Sequence, residues 1–409
     1  MIAKGNDSIE RGRRKIGWAG SHMELLASLR EEFMSSRPLS GRRVGMSIHL
    51  EAKTACLAML LRDAGAQVYI TGSNPLSTQD DVASALAQEP DIVVYARRGV
   101  SEKEYFAHLR QVLSNGPDLI LDDGGDLVSL LHEQAQSGVM AGCEETTTGV
   151  NRLRVLAREG RLRFPMFAVN DAQMKSLFDN RYGTGQSVWD AIMRSTNLLV
   201  AGKRALVAGY GWCGRGVAMR ASGLGAKVTV AEVDPVRAVE ALMDGFSVAP
   251  LSEAIGSADF LITTTGCSKV VTSDALQNAK DGILLANAGH FDVEIDKDAL
   301  GSIAMSKRRV REGIEEFVLE DGRCLYLLGE GRLVNLVVGD GHPVEIMDIS
   351  FALQALTLEY AVANAPLAPD LHAVPEEIDR RVAQMKLESV GVQIDQLTAE
   401  QQSYLGLSS

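Results

Sequence analysis

The sequence predicts an α/β protein made of two doubly wound parallel-sheet domains and a short C-terminal helical tail. Three observations predict it. Short apolar runs alternate with helical patterns between residues 43 and 121, the alternation restarts near Gly202, and a glycine-rich turn joins a strand to a helix inside the second block. Strands that alternate with helices pair in parallel and are covered on both faces. The chain has 409 residues, room for two or three domains of roughly 100–200 residues.

Arg43–Ile48 reads as a strand, Ala52–Ala64 as a helix and Gln67–Thr71 as a strand. Thr78–Ala87 follows as a helix, Ile92–Tyr95 as a strand, Glu102–Leu113 as a helix and Leu119–Leu121 as a strand. In the second block the strands are Ala205–Ala208, Lys227–Ala231, Phe260–Thr263 and Ile283–Ala286, with helices at Gly214–Leu224, Arg237–Asp244 and Leu251–Ile255. Val344–Ala363 has long apolar helical character, and two charged amphipathic stretches follow Pro375.

A formal net charge of −12 is spread along the chain, which argues against a nucleic-acid partner. The basic run Arg11–Lys15 reads as a solvated helix face. No apolar run reaches the ~18–20 residues of a membrane span, and Ile16, Gly17 and Trp18 give way to polar residues, so neither a membrane partner nor a signal-peptide core is expected. The five cysteines form no CxxC pair and the seven histidines no HExxH pattern. A reducing cytoplasm and no bound metal are therefore expected.

Ala205–Gly216 reads ALVAGYGWCGRG, a GxGxxG turn in its strand–turn–helix context. Gly209 permits the tight turn, Gly211 lets a pyrophosphate approach the helix N-terminus, and Gly214 lets helix and strand pack closely. The next strand ends at Ala231–Glu232, where an acid binds ribose hydroxyls and repels the 2′-phosphate of NADP, so NAD is the expected cofactor. The alternative is a glycine turn in a sheet that binds nothing.

GYGWCGRG with AEVDP resembles the cofactor motif of S-adenosylhomocysteine hydrolases. NPLSTQDD (Asn74–Asp81), LDDGGDL (Leu121–Leu127), EETTTGV (Glu144–Val150), FDNRYG (Phe178–Gly183), NAGHFDVEID (Asn287–Asp296) and GRLVNL with GHP (Gly331–Pro343) resemble that family in the same order, from about His49 to Leu405. The resemblance implies a split substrate domain (1–182 and 344–373), an NAD domain (183–343) and a tail (374–409) that assists a homotetramer. Hinges would lie near Tyr182–Gly185 and Gly341–Pro343. It also implies hydrolysis of a nucleosyl-homocysteine thioether by oxidation of the ribose 3′-hydroxyl, elimination of homocysteine, addition of water and re-reduction.

By this resemblance Lys175 and Asp179 hold and deprotonate the 3′-hydroxyl. Their i, i+4 spacing puts both on one face of a helix, and the lysine needs a lowered pKa to act as base. An exposed helix ion pair is the plainer alternative. Glu145 would bind the ribose diol, and Asp123 would sit near C4′ and C5′ unless it merely caps a turn. His49 and His290 would stand at the leaving group, where histidine suits proton exchange near neutral pH. Met347, Phe351 and His342 would contact substrate. Thr146, Thr147, Thr148, Asn180, Trp212, Cys213, Asn287, Ala288, Gly289 and Asn335 would contact NAD.

Three departures from the family pattern meet at the base. Glu51, Lys53 and Asp340 stand where a threonine, a glutamate or glutamine, and a methionine usually recognise adenine. Lysine only donates, as does adenine's C6 amino group. Hypoxanthine reverses the pattern, so Lys53 would suit its C6 carbonyl and Glu51 or Asp340 its N1–H; alternatively Glu51 and Lys53 pair with each other. Thr184 replaces a cysteine usual near C4′, which leaves Asp123 as the base there. The family's extended tail, whose lysine and tyrosine reach a neighbouring subunit's NAD, has no counterpart after Leu405, which implies weaker cofactor affinity. An ordinary NAD dehydrogenase and a silent, partner-binding homologue are the competing readings. The second is disfavoured because the carboxylate and lysine set is intact.

Overall fold

A computed structural model describes residues 6–133 and 138–407; the outermost domain limits expected at 1 and 409 lie outside the described residues. Strands β1 (Arg43–Ser47), β2 (Gln67–Thr71), β3 (Ile92–Val94), β4 (Leu119–Asp122), β5 (Ala141–Glu144) and β6 (Met166–Ala168) build the first sheet. The second contains β7 (Arg204–Ala208), β8 (Lys227–Ala231), β9 (Ser247–Val248), β10 (Phe260–Thr263), β11 (Leu284–Asn287), β12 (Ala304–Arg311), β13 (Ile314–Leu319) and β14 (Cys324–Leu328), and the two-residue β15 (Leu371–His372) returns to the first. The first sheet runs β15-β6-β5-β4-β1-β2-β3, and its paired strands are all parallel.

The second sheet runs β12-β13-β14-β11-β10-β7-β8-β9. Here the structure departs from the expected parallel sheet, because β12, β13 and β14 pair antiparallel as an edge meander. Helical spacing is absent from Ala304–Leu328, and β12 is largely exposed and strongly basic, as suits an edge strand. The expected strands match the observed ones to within a residue or two at the ends. Chain order reverses between β4 and β1 in the first sheet and between β10 and β7 in the second, and such reversals open ligand crevices beyond the strands' C-terminal ends.

The apolar helix Val344–Ala363 is long enough to cross a membrane by length and composition, but 72% of its most apolar window is buried in the first core. Its fully buried Asp348, Ser350, Gln354 and Thr357 mark it as a core helix. The helix Glu376–Ser389, expected in the tail, packs there too through buried Ile378 and Val382.

The lobes meet along glycine. A Cβ on Gly216 would lie 1.8 Å from the Arg181 carbonyl oxygen, and one on Gly185 would lie 2.5 Å from that of Gly216. Thus the helix Trp212–Gly223 presses backbone to backbone on the segment that enters the second lobe. Gly216→Ala is expected to lower Tm by several degrees, whereas Gly223→Ala, with open space around it, leaves Tm unchanged or slightly raised in the same thermal melt.

Candidate active site

The two crevices open onto one cavity of about 1070 Å³, above the usual ~300–1,000 Å³ of a small-molecule site. At the second sheet Gly209 has φ +99°, the left-handed turn only glycine enters without strain. A Cβ on Gly214 would meet the Gly209 carbonyl at 2.0 Å, while one on Gly211 meets nothing closer than Arg237 at 3.7 Å. The three glycines therefore divide into turn, open cradle and helix–strand contact. Glu232 lines the cavity with its carboxylate held by the backbone N–H groups of Tyr210 at 2.6 Å, Val233 at 2.7 Å and Asp234 at 3.0 Å.

Trp212, Cys213, Thr146, Thr147, Thr148, Asn180, Ala288, Gly289 and Asn335 line the same cavity. Among the described residues the buried Asn335 Oδ1 has no hydrogen-bond partner, although its amide nitrogen donates to Ser187 at 3.0 Å. The glycine cradle, the fixed acid and this orphaned acceptor fit a dinucleotide with an amide-bearing ring. Asn287 is a correction. It is absent from the cavity wall, and its amide nitrogen shares its two hydrogens among the carbonyls of Gly289, Phe291 and Gly331, so it shapes the loop before His290.

Lys175 ends a short helical turn, Gln173–Lys175, that continues as a π-helix over Ser176–Gly183. The wider winding, common at functional sites, brings i+4 and i+5 onto the lysine together: Nζ donates to Asp179 Oδ1 at 3.0 Å and to Asn180 Oδ1 at 2.7 Å. Glu145 Oε1 lies 3.6 Å from the same ammonium. Burial works to lower the Lys175 pKa, but Asp179 and Glu145 outweigh it and the pKa ends above its ordinary value. This corrects the expectation of a lowered pKa, since two carboxylates share one cation. Burial raises Glu145 to about 8. Asp179 is held low because Lys175 and His342 overcome the effect of its burial.

Residues with no signal of their own in the sequence complete this cluster. Ser350 donates to Asp179 at 2.8 Å, Gln354 donates to Glu145, and Asn170 accepts from Asn180 at 3.0 Å and from Thr147 at 3.2 Å. The i, i+4 polar pair Ser350 and Gln354 on an apolar helix is the one pattern that could have drawn attention. The helix Glu376–Ser389 contributes Asp379, which accepts the backbone N–H groups of Gln173 at 2.7 Å and Met174 at 2.8 Å.

Beyond β1 and β4, His49, Asp123 and His290 converge. Asp123 Oδ2 is 3.4 Å from His49 Nε2 and Oδ1 is 3.5 Å from His290 Nδ1; Ser73 donates to Oδ2 at 3.0 Å. Burial lowers both histidine pKa values, His49 to about 4, against the pull of Asp123. Burial would raise Asp123, yet the two histidines and Ser73 keep it low. Beside it Asp122 and Glu144 face each other across paired strands, and burial raises Asp122 to about 8 and Glu144 well above its ordinary range.

In the same cavity wall, Glu51 N-caps the helix Ala52–Asp63 and forms an ion pair with Lys53 Nζ at 2.9 Å. Lys53 Nζ also donates to the Asp340 carbonyl oxygen at 3.0 Å. The Asp340 carboxylate is a correction: it is 72% exposed, pairs with Arg194 and does not line the cavity. His342 lines the cavity with Met347 and Phe351, and contacts Asp179 at 3.3 Å and the Thr184 hydroxyl at 3.2 Å.

A dinucleotide crevice facing a buried acid–base cluster defines a cofactor-dependent enzyme with a two-lobed active site. Residues 4–143 match S-adenosyl-L-homocysteine hydrolase, and residues 180–341 match the NAD binding domain of S-adenosyl-L-homocysteine hydrolase. The chain is 56% identical to an adenosylhomocysteinase of Thermotoga maritima over 96% of its length and 98% of the relative's. It is 53% identical to an S-inosyl-L-homocysteine hydrolase of Methanosarcina mazei over 97% of each chain. The chain belongs to the S-adenosyl-L-homocysteine hydrolase family and is an NAD-dependent hydrolase.

Two consequences can be measured. Gly211→Val is expected to keep the fold and lose NAD, read as a near-unchanged Tm of the stripped protein with little cofactor released on denaturation. For Glu144, the folded state holds a proton that the unfolded carboxyl releases above its ordinary 4.5, so this group's contribution to stability falls as pH rises. Glu144→Gln removes that dependence. Its Tm relative to the parent should therefore climb by about 2 °C or more between pH 6 and 9.

Proposed function

We propose that this enzyme cleaves a nucleosyl-L-homocysteine thioether with hypoxanthine preferred over adenine as the base. Relatives named for either substrate stand at similar identity, so overall similarity does not choose between them. The observation that carries the reading is Lys53, a buried ammonium in the cavity wall. It donates one hydrogen to the Asp340 carbonyl and pairs with Glu51, so an ammonium with three hydrogens can still donate to a ligand. A C6 carbonyl accepts that hydrogen and an N1–H can donate to Glu51, whereas adenine sets an amino donor against the ammonium. An unpaired buried polar group costs ~1–3 kcal/mol, enough for a preference of about tenfold.

NAD supplies the hydride acceptor and donor at ribose C3′. Ribose hydroxyls that bind at Glu145 weaken its hold on the lysine, and Lys175 in its neutral form takes the 3′-hydroxyl proton during oxidation and returns it on re-reduction. With a ketone at C3′, Asp123 takes the C4′ proton, the C5′–sulfur bond breaks and the leaving sulfur gains a proton. Water then adds its oxygen at C5′ and its proton returns to C4′. His49, with His290 beside it, serves the proton exchanges at C5′.

The substrate lobe is placed at 1–182 with 344–389, extended past 373 because Ile378 and Val382 are buried in the first core. The cofactor lobe is 183–343, with hinges at Tyr182–Gly185 and Gly341–Pro343. A homotetramer in the cytoplasm completes the proposal. Free cysteines support a reducing setting, and exposed Val236, Leu242 and Met243 on the helix Pro235–Met243 support self-association.

The ratio of kcat/KM for the inosyl and adenosyl substrates tests the reading. It should favour inosyl by about tenfold or more. Lys53→Gln with Glu51→Thr, which restores an acceptor and keeps a helix cap, should shift it toward adenosyl. A tenfold adenosyl preference in the parent enzyme would remove Lys53 as the reader of C6.

A further inference from the structure

His49 has a second partner, outside the Asp123 cluster. Ser77 Oγ lies 2.7 Å from His49 Nδ1 and donates to the Asn74 carbonyl at 3.2 Å. That carbonyl also takes the Ser77 backbone N–H at 3.3 Å, and a carbonyl oxygen accepts two such bonds. A hydroxyl carries one proton. Spent on Asn74, it leaves the Ser77 oxygen as an acceptor, and Nδ1 is then the ring nitrogen that bears hydrogen. In that form Nε2 bears no hydrogen, and it stands 3.4 Å from Asp123 Oδ2 with no hydrogen bond between them. Ser77 is 3% exposed, so water does not replace its hydroxyl easily.

We propose that Ser77 is a positioning residue that holds His49 in its Nδ1–H form, so that Nε2 is the nitrogen that exchanges the proton at C5′. The inference rests on the assignment of His49 to C5′. The reaction needs a nitrogen that both gives and takes. In elimination one proton leaves C4′ and one joins the departing sulfur; in hydration one leaves water and one returns to C4′. Asp123 and Nε2 can carry the same proton in either direction, as Asp123 takes it from C4′, passes it to Nε2 and Nε2 gives it to sulfur, with the reverse order for water. The imidazolium in between is flanked by Asp123, while Nδ1–H stays bonded to Ser77 throughout. Proton uptake thus requires no rearrangement on the Ser77 side. In the opposite form Nε2 already carries hydrogen and cannot accept the water proton.

The test is single-turnover kinetics of the NAD-loaded enzyme, following NADH absorbance for 3′-oxidation and quenched homocysteine for release. Ser77→Ala should form NADH at the parent rate and release homocysteine about ten- to a hundredfold more slowly. Ser77→Thr, which keeps the hydroxyl, should restore most of that rate. Release by Ser77→Ala within twofold of the parent, an equal loss of oxidation and release, or a threonine variant as slow as alanine would each overturn the inference. His49→Gln separates this inference from the assignment beneath it. If His49→Gln releases homocysteine at the parent rate, the assignment falls and the inference with it. If it stalls release while Ser77→Ala does not, only the Ser77 inference falls.

Discussion

The rest of the structure is arranged around one buried cation. The Lys175 ammonium is buried at 4% exposure, and a charge removed from water persists only when paired and hydrogen-bonded. Asp179, Asn180 and Glu145 meet that requirement, and each needs a further partner. Asn170 orients Asn180, Ser350 holds Asp179, and Gln354 holds Glu145. Ser350 and Gln354 come from the helix Val344–Ala363, which returns to the first lobe after the chain has built the second. The split course of the chain is thus tied to the cluster. The π-helix has the same cause, because an ordinary turn would carry Asn180 off the lysine's side.

The second constraint is that both sheets present their order reversals to one cavity. Beyond β1 and β4 stand His49 and Asp123; beyond β7 and β10 stand Gly209 and Thr264, whose hydroxyl donates to the Ala208 carbonyl at 2.9 Å. A nucleoside on the first crevice and a dinucleotide on the second would face each other across Lys175. Glycine makes the approach close enough, through Gly216 on Arg181 and Gly183 beside His342, where a Cβ would come within 3.0 Å of the ring.

In the base reading proposed above, the same two side chains would serve both fold and ligand. The Glu51 carboxylate accepts the first backbone N–H groups of its helix and also fixes Lys53, and Lys53 in turn reaches the segment that leaves the second lobe. The ion pair considered from sequence is present. It does not silence the lysine, since an ammonium has three hydrogens and, among the described residues, donates one of them, to the Asp340 carbonyl.

Local sequence determined the elements and the cofactor turn, because strand–helix alternation, glycine spacing and an acid at the next strand's end are written within a few tens of residues. It also held the names of the groups proposed to react, His49, Asp123, Glu145, Lys175, Asp179 and His290, through motifs in a recognisable order. Tertiary structure decided what those groups are. The lysine's raised pKa depends on carboxylates 4 and 30 positions away, and the His49, Asp123 and His290 gathering joins residues that no spacing rule connects. The antiparallel edge of the second sheet, the seating of Glu376–Ser389 in the first core and the outward turn of Asp340 toward Arg194 were equally illegible. Each is settled by which surface another part of the chain covers, and burial, which sets both packing and charge, is a property of the folded chain alone.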